Sequence, residues 1–217
     1  GPLGVRDPGV VDRSYGVNIV VRRVDLDLQQ PEQDEEAAHE ALIQMRQKWQ
    51  NMSAGELETG IVHTLIGEHR PHDAQQQALD SLSAGNNTLV VMATGRGKSF
   101  IFHMHAAREA LRNNAASVFI YPLRALVADQ AFHLQQTFEQ FGLSVRVLTG
   151  ESDETERANT FTALQDGGVD VILTTPEFLS IHAKRFAAAQ RVRFVVVDVA
   201  HHVGQARAGN RPAYAGL

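Results

Sequence analysis

The stretch LVVMATGRGKS, residues 89–99, decides how the rest of the chain is read. A short β-branched run feeds a Gly-rich turn that ends in Gly97-Lys98-Ser99, and an apolar-periodic run over residues 100–111 begins at once. Strand, tight turn and helix in that order form the context of a phosphate-binding loop. Gly95 and Gly97 let the backbone approach phosphate oxygens with no Cβ in the way, and the free amides of the following helix start point toward that anion. Lys98 is placed to neutralise β- and γ-phosphates, and the Ser99 hydroxyl to ligate Mg²⁺. Lysine is rare in the chain, at positions 48, 98 and 184 only. A lysine set between Gly97 and Ser99 therefore reads as functional, against the competing reading of an ordinary Gly-rich strand-to-helix turn. Met92 stands where the strict pattern has a glycine, so the match is to the variant form A-x-T-G-x-G-K-S, running from Ala93 and Thr94 through Gly95 and Arg96.

Bulk properties narrow the classes. The chain has 217 residues, a formal net charge of −5 and no cysteine. That length holds one good domain and an appendage, with enough core to fold without staples. Lack of cysteine excludes disulfides and thiolate metal sites and fits a reducing, cytoplasmic compartment. The mild negative charge offers no global basic field, so any nucleic-acid binding must come from a local groove. No apolar run reaches the roughly 20 residues that cross a bilayer, and no membrane partner is expected. Residues 1–4, GPLG, match the remnant of a cleaved expression tag, and the natural chain is expected to extend upstream.

Outward from the loop, residues 5–68 read as an accessory segment. Residues 17–21 alternate as a strand with a solvated face, expected to complete something upstream. Residues 29–36 read as a Gln- and Glu-rich linker around Pro31, followed by an amphipathic helix carrying Ala38, Leu42, Met45 and Trp49, the last as a packing residue. Ser53 and Glu56 form a capping-box pattern that opens a second helix, which Gly67 stops. A third helix is expected over residues 73–83.

From residue 69 to the end the pattern alternates. Strands are expected near 88–92, 117–121, 145–149, 169–174 and 193–198, with helices near 98–112, 124–141, 153–166 and 177–189. Such alternation implies right-handed crossovers and a parallel β-sheet sandwiched by helices, with ligands at the carboxyl ends of the strands. The close histidine pairs 69/72, 103/105 and 201/202 lack cysteines or a carboxylate triad beside them, so no structural zinc is expected.

With these residues in hand the chain resembles the first RecA-like motor domain of superfamily-2 helicases, and within them the RecQ-like group. The resemblance covers residues 70 to the end. ATGRGKS is similar to motif I, and its Ala93-Thr94-Gly95 opening is typical of helicase-type motors rather than kinases. YPLRALVADQ, residues 121–130, is similar to motif Ia, and Thr174-Thr175-Pro176-Glu177 to motif Ib. VVVDVAH, residues 195–201, resembles motif II with one change, and residues 210–214 resemble the RecQ segment that follows it. The resemblance implies a P-loop NTPase fold with ATP and Mg²⁺ as cofactors. By the family's register Gln75, first of three adjacent glutamines, reads adenine, since an amide can donate to N7 and accept from the exocyclic N6.

Motif II carries the chemical question. Asp198 ends an apolar run as the carboxylate of the Mg²⁺ shell. The family places a glutamate next, to position and deprotonate the attacking water; here it is Val199. Loss of such a base costs about 10²- to 10⁴-fold in rate, while Lys98, Ser99 and Asp198 still provide binding. ATP binding with slow or absent hydrolysis is therefore expected. His201, in the family, couples nucleotide to the second domain.

DNA, single-stranded or partly duplex, is the partner that the resemblance implies. Family positions map to Pro122, Leu123 and Arg124, to Thr149 and Gly150, and to Thr175, Pro176 and Glu177, at loop-to-helix junctions where phosphates are held without reading sequence. For Arg124 a plain surface role at a helix start remains an equal alternative. The aromatic-rich loop of RecQ-like enzymes corresponds to residues 201–211, which hold no Phe, Tyr or Trp; Gln205, Arg207 and Arg211 offer polar contacts instead.

A complete motor of this superfamily has a second RecA-like domain with an arginine finger, for which this length has no room beside the accessory segment. Unwinding by this chain alone is not expected. Motif Ia and the N-terminal strand also resemble the helicase part of RecJ-like exonuclease fusions. Three functions follow: the ATP-binding half of a DNA helicase or translocase in repair or recombination, a non-hydrolysing nucleotide-binding scaffold, and a P-loop enzyme of another class, which Met92 and the ordered motifs disfavour.

Overall fold

A computed structural model of the chain describes residues 11–12, 19–20, 30–85 and 96–198. It divides into two compact units, Gly1–Ala41 and Leu42–Leu217. In the first, β1 (Val11–Asp12) and β2 (Ile19–Val20) form an antiparallel pair, Val11 opposite Val20 and Asp12 opposite Ile19. Of the strand expected at 17–21, Ile19–Val20 pairs with β1. Helix α1 (Gln30–Gln50) starts at the stretch expected as a linker. The reason is physical: proline is tolerated in a first helical turn, and the acidic run Asp34, Glu35 and Glu36 suits the positive end of the helix dipole.

Among the described residues, the second unit is built on a parallel sheet of four strands in the order β4-β5-β3-β6. Its strands are β3 (Ala116–Ile120), β4 (Val145–Leu148), β5 (Val171–Thr174) and β6 (Val192–Val197). Around them run α2 (Ala54–Ile66), α3 (Asp73–Ser83), α4 (Arg96–Asn113), α5 (Arg124–Glu139), α6 (Glu154–Asp166) and α7 (Pro176–Ala188). Each strand after β3 is reached through one helix, the crossover that parallel pairing demands. Register pairs Ile120 with both Thr174 and Val197, and Leu148 with Thr174. The four strands therefore end level.

Alternation sorts the core. Phe119, Val171, Leu173, Phe194 and Val196 pack on one face with Ile101, Met104, Val127 and Phe138 from α4 and α5. Val118, Ile120 and Ile172 pack on the other with Phe161, Leu164, Phe178 and Phe186 from α6 and α7. Helices on both faces explain why β3 is buried along its whole length. The fold class is α/β, as expected, and the sheet strand expected at 88–92 lies outside the described residues.

Residues 42–68, expected within the accessory segment, supply Trp49, Leu57 and Ile61 to the first of these cores. Trp49 donates from Nε1 to the Gln140 carbonyl at 2.9 Å and meets Phe141 edge-on at 5.0 Å. Gly60 lies flat against this indole: an added Cβ would sit 2.7 Å from the ring. Gly142 ends the α5 turn at φ +69°, where a Cβ would meet the backbone of Leu42 and Arg46. Both conditions call for glycine there. Ser53 caps α2 as its pattern predicts, accepting from the Glu56 N–H at 3.2 Å while Glu56 Oε1 accepts from the Ser53 N–H.

Candidate functional site

The first turn of α4 contains Gly97, Lys98 and Ser99, each half-buried. N–H groups of a first helical turn have no intrahelical acceptor, so this end of α4 is a ready anion site. Thr94 and Gly95 lie outside the described residues, and Arg96 is described in its backbone only.

Facing that turn is Gln75, near the start of α3 and 6% exposed. Its Nε2 donates to the Gly97 carbonyl at 3.2 Å, while its Oε1 accepts from the His72 N–H at 2.8 Å. Its neighbours point elsewhere: Gln76 donates to Asp80 at 2.9 Å on the exposed side, and Gln77 is exposed. Of the three glutamines, one reaches α4.

Other candidate residues follow the level strand ends. Asp198 comes directly after β6, and its N–H donates to the Ile120 carbonyl at 2.9 Å. Beside it Tyr121, the residue after β3, donates its N–H to the Thr174 carbonyl at 3.0 Å. Burial, and then the Asp198 carboxylate, push the Tyr121 phenol well above its usual range. Tyr121 was not among the expected site residues. In the sequence Tyr121 ends the strand expected at 117–121 and opens the stretch similar to motif Ia.

The candidate nucleic-acid residues emerge from the same edge, and several already have structural work. Thr175 caps α7, its Oγ1 accepting from the Phe178 N–H at 3.3 Å, and Pro176 occupies the first turn. Thr149 is buried, accepts from the Glu151 N–H at 3.3 Å, and its own N–H donates to Ser152 Oγ at 3.1 Å. The Gly150 carbonyl accepts from Arg157 Nη2 at 3.3 Å. Arg124, which opens α5 two residues after Pro122, donates to Glu151 Oε1 at 2.8 Å. Around this loop Glu151, Asp153, Glu154, Glu156 and Glu177 are all exposed. The carboxyl edge is thus acidic beside Gly150, and Arg124 is held by the nearest carboxylate. Val199, His201, Gln205, Arg207 and Arg211 lie outside the described residues.

His103 and His105 pack against aromatic side chains of the core. His103 stacks on Phe119 at 6.2 Å, and His105 meets Phe194 edge-on at 4.6 Å. Burial holds both imidazoles well below the usual range, at about 4, with Arg108 adding to the effect on His105.

The model of the DEAD/DEAH box helicase family matches residues 72–216. Among curated proteins, the chain is 27% identical over 158 residues to ATP-dependent DNA helicase RecQ of Pasteurella multocida, covering 72% of this chain and 24% of that one. It is 30% identical over 162 residues to ATP-dependent DNA helicase Q-like 5 of Arabidopsis thaliana, covering 72% and 16%. Similarity to RecQ-like DNA helicase BLM of Xenopus laevis is 26% over 163 residues, covering 71% and 11%. The chain spans about a quarter or less of the length of these relatives. Among solved structures, the DUF1998 helicase MrfA bound to DNA and AMPPNP superposes with a TM-score of 0.55 at 17% identity, over 64% of this chain and 20% of that one. That likeness is one of fold.

Proposed function

The chain belongs to the DEAD/DEAH box helicase family, and from that premise we propose that it is the ATP-binding first motor domain of a RecQ-like DNA helicase or translocase acting in repair or recombination. One observation supports this reading most. The Gln75 amide is bonded to Gly97 at the start of the phosphate-loop helix, so a base-reading group and a phosphate-holding turn are neighbours.

In this reading the amides of Gly97, Lys98 and Ser99 hold phosphate oxygens, and the Lys98 ammonium neutralises their charge. Thr94, Gly95 and Arg96 complete the loop. The Ser99 hydroxyl and the Asp198 carboxylate are hard oxygen donors of the kind Mg²⁺ takes, alongside phosphates and water. Bound there, Mg²⁺ neutralises charge that develops on the phosphates during transfer. Gln75 exchanges its internal partners for the adenine edge. Pro122, Arg124, Thr149, Gly150, Thr175 and Pro176 hold single-stranded or partly duplex DNA by its backbone, helped by Gln205 and Arg207. A second RecA-like domain closes over the nucleotide, with His201 in contact between the two. The cysteine-free composition suits a cytoplasmic setting.

Val199 makes hydrolysis slow in this chain, because the position after Asp198, where the family has its glutamate, carries no group that can take a proton from water. The same residue favours a second reading, a nucleotide-binding scaffold that does not turn over. Titration of a fluorescent ATP analogue with Mg²⁺ tests the shared premise. Binding is expected, is expected to be lost in Lys98→Ala, and to lose adenine preference in Gln75→Ala. Equal binding by parent and Lys98→Ala would remove the phosphate-loop assignment.

A further inference from the structure

Arg108 on α4 is a charged side chain only 4% exposed, reaching residues of both α2 and α3. Its Nη1 donates to Glu58 Oε1 on α2 at 3.1 Å. Its Nη2 donates to the Leu79 carbonyl on α3 at 3.2 Å and lies 2.9 Å from His105 Nδ1 on its own helix. Its Nε is buried without a partner. A guanidinium this deep costs solvation that its contacts offset only in part, and so serves poorly as a mere stabiliser.

Leu79 lies one helical turn after Gln75, on the same buried face of α3. Helix α3 is therefore bonded to α4 at two points, Gln75 to Gly97 and Leu79 to Arg108. Ala78 and Leu79 pack α3 into the core that α4 shares, and the two bonds a turn apart add directional restraint on its rotation and its slide along α4. We infer that Arg108 is the positioning residue for base selection: it holds α3 so that the Gln75 amide stays in register with the phosphate-holding turn.

This rests on the reading of Gln75 as the adenine contact. The geometry adds a link to the magnesium strand. With Nδ1 accepting from Arg108, His105 carries its proton on Nε2, and its ring abuts Phe194 on β6, which ends at Asp198. Arg112, one turn further along α4, makes a natural control. It binds the same Glu58, at 3.3 Å, and the Ala54 carbonyl at 3.1 Å, both associated with α2.

The test compares the ATP-over-GTP preference of fluorescent Mg²⁺-nucleotide analogues in the parent, Arg108→Met, Arg108→Lys, Arg112→Met, Gln75→Ala and the Arg108→Met/Gln75→Ala double variant. Thermal melting establishes that each is folded. Arg108→Met is expected to lower the preference about tenfold, since roughly 1 Å of misplacement at a reading group has effects of that order or larger. GTP affinity should change far less. Arg108→Lys should recover part of the preference, Arg112→Met should retain it, and the double variant should lose no more than Gln75→Ala alone. Arg108→Gln carries the same expectation as Arg108→Met if the latter does not fold. A folded Arg108 variant with parental preference overturns the inference, as does an equal loss in Arg112→Met. If Gln75→Ala keeps the parental preference, the adenine assignment itself fails, and the inference with it.

Discussion

Arg46 and Asp170 stand 124 positions apart, yet Arg46 Nη1 donates to both Asp170 carboxylate oxygens, at 2.8 and 2.9 Å. Asp170 is 1% exposed, also accepts from the Ser144 N–H at 2.9 Å, and has Arg191 Nη2 at 3.5 Å. Arg191 in turn donates to the carbonyls of Leu164 and Val169, each at 2.7 Å. The cluster closes the amino edge of the sheet, opposite the candidate site. Asp170→Ala would leave two guanidiniums without their carboxylate, at a cost of about 3 to 5 kcal/mol. Urea denaturation should show that loss. Nucleotide affinity per folded molecule should remain parental, because the cluster and the phosphate turn lie at opposite strand ends.

That separation also sets what was legible in the sequence. The four described strands of the parallel sheet lie within two residues of their expected positions, because a short continuous apolar run such as Val118, Phe119, Ile120 is a local signal of a strand covered on both faces. Asp198, Thr175 and Thr149, named from the family resemblance, each follow directly on the end of a strand. Helix α1 differs at its start, where Glu and Gln residues around Pro31 suit a helix end as well as a linker. Arg108 could not be found at all. An arginine in an amphipathic helix reads as solvated, and its burial depends on Glu58 and Leu79, 50 and 29 positions away.

A pH dependence follows from His103 and His105. An unfolded histidine takes its proton near pH 6.5, whereas burial holds both folded imidazoles at about 4. Between those values the unfolded chain binds more protons, so stability rises with pH across this window and is lost as pH falls through it. Each histidine contributes at most about 1.4 kcal/mol per pH unit there. His103→Gln should make the acid loss shallower when urea midpoints are compared from pH 7 to 4.5. Parallel profiles for parent and variant would contradict the assignment.

The Arg124–Glu151 ion pair at 2.8 Å sets two exposed partners, 58% and 73% accessible, against each other at the proposed DNA edge. A phosphate reaching Arg124 has to displace Glu151 and approach the neighbouring carboxylates. An exposed pair holds with about 0.2 to 1 kcal/mol, so Glu151→Gln should raise single-stranded DNA affinity by up to about fivefold. Arg124→Gln should lower affinity and flatten its dependence on salt, since one phosphate contact is lost. Fluorescence anisotropy of a labelled oligonucleotide at several salt concentrations checks both. No response to either change would leave Arg124 as a surface residue at a helix start.

Val199 separates the motor from the scaffold. Asp198 is held at the end of β6 by its N–H bond to the Ile120 carbonyl, and Val199 follows it in the sequence. A glutamate introduced there supplies the base that valine cannot. In a chain that also carries the proposed second RecA-like domain, Val199→Glu should raise DNA-stimulated ATP turnover by about 10²- to 10⁴-fold. Mg-ATP affinity should change little, because Lys98, Ser99 and Asp198 are untouched. Steady-state phosphate release with and without single-stranded DNA reads the first expectation, and nucleotide titration the second. Turnover that appears only in the Val199→Glu variant identifies a motor missing its base. Tight binding without turnover in both forms identifies a scaffold in which nucleotide serves to order the domain.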